Sequence, residues 1–380
     1  MSDTEGDDRA ALLDNLRLML VPGVGPVIAG ALIQRFGSAR RVLDQPESVL
    51  REVRGVGPGT AEEIHRARQG DLADIELELC EKHGVTVLAR WDDGYPPILG
   101  ELPDPPALLY VRGSIEPVDR LAVALVGARK CTPYGARIAE RLAASLARVG
   151  VTVVSGLARG IDAAAHRGAL AAGGRTIAVL ANGLAAVYPP EHEDLARAVV
   201  DSGALLSEVP MRYKPLPELF PRRNRVISGL SLGVVVVEAA PRSGSLSTAR
   251  HATDQNREVF AVPGPVDSLP SRGCHGLIRD GAKLVETVED ILEELGPLAG
   301  EVRAKPDAAA LEQPDRATLP GLKFTDQERK LIDRLDDRGI AIDELIAATG
   351  LTPSQVMATL SVLEMRRLVR RLPGPRFARA

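Results

Sequence analysis

Within six residues, Phe220-Pro-Arg-Arg-Asn-Arg225 assembles an aromatic ring, three arginines and a side-chain amide. An apolar run follows, and after it the small hydroxyl-rich turn Ser243-Gly244-Ser245. Guanidinium groups offer forked donors to phosphate oxygens, a flat ring offers a stacking face for a base, and serines with their backbone N–H groups cradle a further anion. No serine or cysteine here has a histidine spaced as its base. The chemistry on offer is the binding of a phosphate chain.

Three more loops carry the same ingredients: Gly127-Ala-Arg129-Lys-Cys-Thr-Pro-Tyr-Gly135, Ser155-Gly156-Leu-Ala-Arg-Gly160-Ile-Asp162, and Asn182-Gly-Leu running to Tyr188-Pro-Pro190. Glycine lets an anion approach the backbone closely, and arginine neutralises it. Asp162 reads as the N-cap of its helix and not as an acid catalyst. His166 reads as a packed or exposed histidine, and Cys131 as a small filler. Two readings of the arginine segment stand side by side. Phe220 either stacks a base or covers the sheet as a core residue. Arg222, Arg223 and Arg225 either meet phosphate or form a solvated helix face or ion pairs with Glu208 or Glu238.

Each loop follows a short apolar run. Leu121–Val126, Val151–Ser155, Thr176–Leu180, Ala204–Ser207, Leu232–Glu238 and Glu258–Val262 are short runs dominated by Val, Ile, Leu and Ala. Amphipathic segments at Tyr134–Val149, Asp162–Gly173, Glu191–Ser202 and Ser245–Asn256 separate most of them. Such alternation predicts an α/β fold, a parallel sheet covered on both faces, with ligands beyond the carboxyl ends of its strands. Val85–Leu88 and the Pro-rich stretch Tyr95–Gly113 are expected to extend the sheet at an edge.

Residues 1–70 read as a helical domain built on two similar turns, Val21-Pro-Gly-Val-Gly-Pro26 and Arg54-Gly-Val-Gly-Pro58. That is the pattern of tandem helix-hairpin-helix units, which grip a DNA backbone in some proteins and serve as plain helical bundles in others. The sheet domain is expected over 71–297, and the Ala/Pro/Glu/Asp-rich residues 298–320 read as a linker. Residues 321–380 resemble a winged helix, with Thr352 and Pro353 as a helix start.

The totals bound the rest. A chain of 380 residues, 45% hydrophobic and 26% charged, belongs to a globular protein of two or three domains. No run reaches the length of a membrane span, and the acidic N-terminus is unlike a secretory signal. Three scattered cysteines predict a reduced, cytoplasmic setting. The net charge of −4 hides local clustering: Arg212, Lys214, Arg222, Arg223 and Arg225 are interrupted only by Glu218, and every charge after Glu364 is an arginine. No P-loop, no Gly-x-Gly-x-x-Gly and no metal-type spacing occurs, so no cofactor and no metal are expected.

With these residues in hand, the chain resembles the DNA-processing protein A (DprA/Smf) family. The resemblance rests on Val126-Gly-Ala-Arg129, Ser155–Asp162, Ala165-His-Arg-Gly-Ala-Leu170, Ser207-Glu-Val-Pro210, Phe220–Arg225, Ser243-Gly-Ser-Leu-Ser-Thr-Ala249 and Val262-Pro-Gly264. It implies an extended Rossmann-like domain flanked by an N-terminal helical (helix-hairpin-helix/SAM-like) domain and a C-terminal winged helix. It also implies binding of single-stranded DNA, homodimerisation, and loading of the RecA recombinase in natural transformation and recombination. By motif position, Arg129, Phe220, Arg222, Asn224, Arg225, Ser243, Gly244 and Ser245 line the DNA pocket, with Gly127, Ser155, Gly156 and Gly160 in the phosphate-binding loops. Three positions depart from the family pattern: Ala128 for serine, Asn182 for glycine and His275 for asparagine. The competing expectation is an enzyme, because related Rossmann-like proteins cleave nucleoside monophosphates at the glycosidic bond. The turn Arg242–Thr248 lacks the glutamate which that reaction uses as general acid. Non-enzymatic binding is therefore expected, with removal of Arg225 flattening the salt dependence of affinity.

Overall fold

The computed structural model describes residues 2–304, 325–336, 339–366, 368–372 and 376–379. The N-terminal part is helical: α1 (Ser2–Met19), α2 (Pro26–Phe36), α3 (Ala39–Leu43), α4 (Glu47–Leu50), α5 (Pro58–Ala67) and α6 (Leu72–His83). The two Gly-Val-Gly-Pro turns start α2 and α5, each with proline at the first helical position, where its missing N–H would be unpaired anyway. The turns face each other. A Cβ on Gly23 would lie 3.5 Å from Thr60, and one on Gly55 would lie 3.4 Å from Ile28, so each meets the equivalent position of the other unit. Leu18, Leu32, Leu50 and Ile64 are fully buried between them.

The central sheet follows from strands with no polar alternation. Its elements are β1 (Val85–Ala89), α7 (Pro97–Gly100), β2 (Leu108–Gly113), β3 (Ala122–Val126), α8 (Pro133–Arg148), β4 (Thr152–Ser155), α9 (Ile161–Ala171), β5 (Thr176–Val179), α10 (Glu193–Ser202), β6 (Ala204–Ser207), α11 (Leu219–Gly229), β7 (Gly233–Val236), α12 (Ser245–Asp254), β8 (Glu258–Ala261), α13 (Arg272–Arg279), β9 (Lys283–Leu284) and α14 (Val288–Ala304). Every residue of β3 is buried, as a strand covered on both faces requires. Val123 and Leu125 pack with Leu142 and Leu146 of α8 and Ala165 of α9. Ala124 and Val126 pack on the other face with Val226 and Ile227 of α11 and Ala249 of α12.

The strand order is β1-β2-β6-β5-β4-β3-β7-β8-β9; β2 is antiparallel to both β1 and β6, and the pairs from β6 to β9 are parallel. The chain runs outward from β3 to β6, then crosses back to β7 on the other side of β3. That reversal opens a crevice beyond the carboxyl ends of β3 and β7. Helix α11, which the apolar runs left unassigned, carries the Phe220–Arg225 segment into that crevice. Pro221 is tolerated because it sits in the first turn, whose N–H groups have no helical partner.

Beyond the sheet lie α15 (Asp326–Ile332), β10 (Ile340–Ala341), α16 (Ile342–Thr349), α17 (Pro353–Met365), β11 (Val369–Leu372) and β12 (Arg376–Arg379). Thr352 caps α17, accepting from the Gln355 N–H at 3.3 Å. Helix α17 is not free on one side: Val362 joins the core with Leu292 and Leu295 of α14. Arg366 pairs with Glu328 at 2.9 Å and donates to the Arg148 carbonyl at 2.9 Å, at the end of α8 away from the crevice. Residues 298–304, expected as linker, are the last turns of α14, and 305–320 lie outside the described residues. Among the described residues, no single helix is long and apolar enough to cross a membrane.

Candidate nucleic-acid interface

The crevice is an open cavity of about 630 Å³. Gly127, Arg129 and Lys130 line it from the loop after β3, and Ala158 and Asp162 from the loop after β4. Arg242, Ser243, Gly244 and Ser245 come from the loop after β7, Phe220, Arg223 and Asn224 from α11, and Leu269 and Pro270 from the segment after β8. Arg129, Lys130 and Arg242 are exposed, and no carboxylate pairs with any of them among the described residues. The Ser243 and Ser245 hydroxyls lie 2.8 Å apart at the start of α12, where the helix end carries partial positive charge. Gly244 has open space in front of it, so a ligand oxygen meets backbone there. Three unpaired cations around a serine turn at a helix start suit a polyanion.

The α11 arginines behave differently. Arg223 is fully buried. It donates from Nη1 to the carbonyls of Gly156, at 2.7 Å, and of Val179, and from Nε to Asn224 Oδ1 at 3.2 Å. Asn224 in turn donates to Ser247 Oγ at 2.9 Å and to the Gly244 carbonyl at 3.3 Å. Arg223 and Asn224 thus tie the ends of β4, β5 and β7 together. Burial pulls the Arg223 pKa down to about 10, against the pull of Asp162. Arg225 is placed in an internal ion pair and not on the cavity, its guanidinium held by Glu208 and, at 3.2 Å, by Asp104. Arg222 is half-exposed and reaches Glu208 at 3.2 Å. Glu208 is the partner the sequence offered. Glu238 instead accepts from the Thr132 N–H at 2.9 Å and the Thr132 hydroxyl, at the start of α8.

Phe220 is half-buried over Ala181, Val209 and Leu219. Its ring meets Tyr188 edge-on at 6.0 Å, and the Arg129 guanidinium sits 4.6 Å from its centroid. A cation–π contact therefore already covers the ring that the sequence offered as a stacking face, and it aims Arg129 at the cavity.

The strand-end glycines bring loops together. Gly160 has φ +76°, and a side chain there would strike the Ala128 carbonyl, while one on Gly156 would strike the Arg223 guanidinium. Ser155 is buried, its hydroxyl donating to the Leu125 carbonyl at 2.6 Å, so it faces the sheet and not the cavity. Asp162 does not cap α9. The cap is Gly160, and Asp162 lies one residue inside the helix and accepts from the N–H groups of Gly156 and Ala158 at 3.2 and 3.4 Å. Burial pushes its pKa up, opposed by Arg223. His166 is buried with Nδ1 2.7 Å from Thr176 Oγ1, and burial lowers its pKa to about 3. Cys131 is half-buried and packs against the core, its thiol pushed up first by burial and then by Glu238.

Lys130, Arg242, Ser247 and Leu269 line the cavity without having been named as site residues, although Lys130, Arg242 and Ser247 lie inside the loops the sequence marked. Lys130 and Arg242 are the immediate neighbours of Arg129 and Ser243, and adjacency was the available signal. Leu269 carries no such mark.

Comparison with known proteins covers the sheet and the C-terminal module. Residues 86–296 match the family model described as DNA recombination-mediator protein A, and 302–375 match the DprA winged helix domain. Protein Smf of Synechocystis sp. is 34% identical over 94% of this chain and 96% of its own length. Protein Smf of Escherichia coli is 41% identical over 79% of each. Among solved structures, DNA processing protein A from Streptococcus pneumoniae superposes with a TM-score of 0.65 at 35% identity, covering 74% of this chain and 97% of that one. The Helicobacter pylori protein, whose structure was described for its single-stranded DNA binding mode, gives 0.50 at 30% identity over 56% and 95%. A family model over more than half of the chain and relatives 34% and 41% identical over most of their own length leave one assignment: this chain belongs to the DNA recombination-mediator protein A (DprA/Smf) family.

Proposed function

We propose that the cavity beyond β3 and β7 binds the sugar–phosphate backbone of single-stranded DNA without breaking it. The observation that carries this is the set of three unpaired exposed cations, Arg129, Lys130 and Arg242, around the Ser243–Ser245 turn. The relationship to the Helicobacter pylori protein supplies the strand type. Single strands are held by charge and stacking, with little reading of sequence. A cavity lined by three cations and by Phe220, with Tyr188 against the edge of that ring, matches that division of labour. Glycosidic cleavage is disfavoured. Asp162 is the one carboxylate among the described lining residues, and it is buried, spent on two backbone N–H groups and close to Arg223.

Family membership extends the proposal to the hand-over of bound DNA to the RecA recombinase and to action as a homodimer. The deciding experiment is binding of fluorescent oligothymidine and of a duplex of equal length across a salt series. Tighter binding of the single strand, with a log–log slope near −2 for three phosphate contacts, is expected. Equal affinity for both forms, or a slope near zero, refutes the reading. Release of base from a nucleoside monophosphate would favour the enzyme instead.

A further inference from the structure

The wall of the cavity opposite Phe220 is apolar, and nothing in the phosphate chemistry explains it. After β8 the chain runs Val262-Pro-Gly-Pro-Val-Asp-Ser-Leu-Pro270. Val266 is 85% exposed and Leu269 57%, and Leu269 lines the cavity. Tyr134, 37% exposed at the start of α8, leans across and donates from its hydroxyl to the Pro263 carbonyl at 3.1 Å.

Single exposed apolar residues are ordinary and by themselves indicate nothing. This loop is held in place. The Pro270 carbonyl accepts from the Ala239 N–H at 2.7 Å, and the Ala239 carbonyl accepts from the Gly273 N–H at 2.8 Å. The Gly264 carbonyl lies 3.0 Å from His275 Nε2, and three prolines fix φ along the loop. The apolar groups are thus presented outward on a rigid support. Preorganisation of this kind costs nothing further when a ligand arrives.

We propose that this lip, Leu269 with Val266 and Tyr134, is a second base-contacting surface. It takes up the base of a nucleotide whose phosphate lies among Arg129, Lys130 and Arg242. The inference rests on the single-strand reading above and adds the path of the strand. DNA crosses the sheet edge from the Tyr188–Phe220 side, above β5, to the lip above β8. Those strands are four spacings apart, about 19 Å. A nucleotide is itself divided into an anionic backbone and a flat apolar base. A cationic centre with apolar surfaces on both flanks matches that division along a strand.

The test is a cycle between lip and base. Affinities of the full chain for oligothymidine and for the same oligonucleotide with central abasic sites are measured for the native protein and for V266S/L269S. Denaturant midpoints confirm folding. The native protein is expected to bind the abasic strand about five- to tenfold more weakly. The variant is expected to lose about that factor for oligothymidine, to discriminate less between the two ligands, and to keep the native salt slope. Leu269→Trp should tighten oligothymidine binding by enlarging the stacking face. If V266S/L269S binds both ligands as the native protein does, the lip inference falls while the cavity reading stands. If the native protein binds no oligothymidine at all, both fall together. A variant that loses affinity for both ligands equally, with an altered salt slope, also overturns the lip, because its effect would then be on charge and not on base contact.

Discussion

Two sets of cations near this end of the sheet do opposite work. On α11, Arg223 and Arg225 are buried, and Arg223 donates to backbone carbonyls while Arg225 pairs with Glu208 and Asp104 of the protein itself. On the loops after β3 and β7, Arg129, Lys130 and Arg242 face solvent with no carboxylate partner among the described residues. A guanidinium out of water must be satisfied where it stands, so burial converts an arginine from a ligand contact into a brace. The motif that reads most strongly as a phosphate grip therefore holds the loops in register. The less conspicuous loop cations are left free to neutralise a ligand.

The contrast makes graded predictions. Arg223→Met should be the most damaging change, because it leaves Asp162 buried without its cation and frees the Gly156 and Val179 carbonyls. A loss of about 3 kcal/mol in denaturant unfolding is expected, and a midpoint close to native would refute the bracing role. Next comes acid. His166 titrates near 3 in the folded chain against an ordinary value of 6.5. Its contribution to stability is complete above pH 6.5 and is lost as pH falls from there toward 3, since the unfolded state binds the proton first. About 2 kcal/mol should be gone by pH 5. His166→Gln should flatten that part of the stability profile, and an unchanged profile would remove His166 as its cause.

Binding effects are smaller. Phe220→Ala removes both a ring and the support that aims Arg129. Single-strand affinity should fall by about 1–2 kcal/mol, read by fluorescence anisotropy, and undiminished affinity would exclude the ring. Arg129→Gln should cost about 1 kcal/mol at low salt, reduce the salt slope by about 0.7, and leave unfolding unaltered within about 0.5 kcal/mol. Arg225→Gln should do the reverse, lowering the unfolding midpoint and leaving the slope alone. A slope change from Arg225 with none from Arg129 would invert the comparison.

The strands were legible because a buried parallel strand has a one-dimensional signature: Ala122–Val126 and Ala204–Ser207 are unbroken small and branched residues. Pro353 behind Thr352 likewise marked a helix start that local geometry alone produces. The edge pair β1–β2 was expected as an extension of the sheet; β2 runs antiparallel to both of its neighbours, β1 and β6. Helix α11 was not assigned, because Pro221 and three arginines obscure its apolar face. That face becomes visible only where Val226 and Ile227 meet the sheet. Asp162 resembled a cap by position, yet the cap is the glycine two residues earlier, and the carboxylate turns back to the loop.

Residue types and local order alone determined that this chain folds as an α/β protein and that glycine, serine and arginine gather at strand ends. They also determined which family it resembles. Those properties depend on periodicity and on neighbours a few residues apart. Which arginine is free and which is spent was decided only in three dimensions. Glu208, Asp104 and the Gly156 carbonyl reach α11 from distant parts of the chain, and solvation of a charge depends on everything around it.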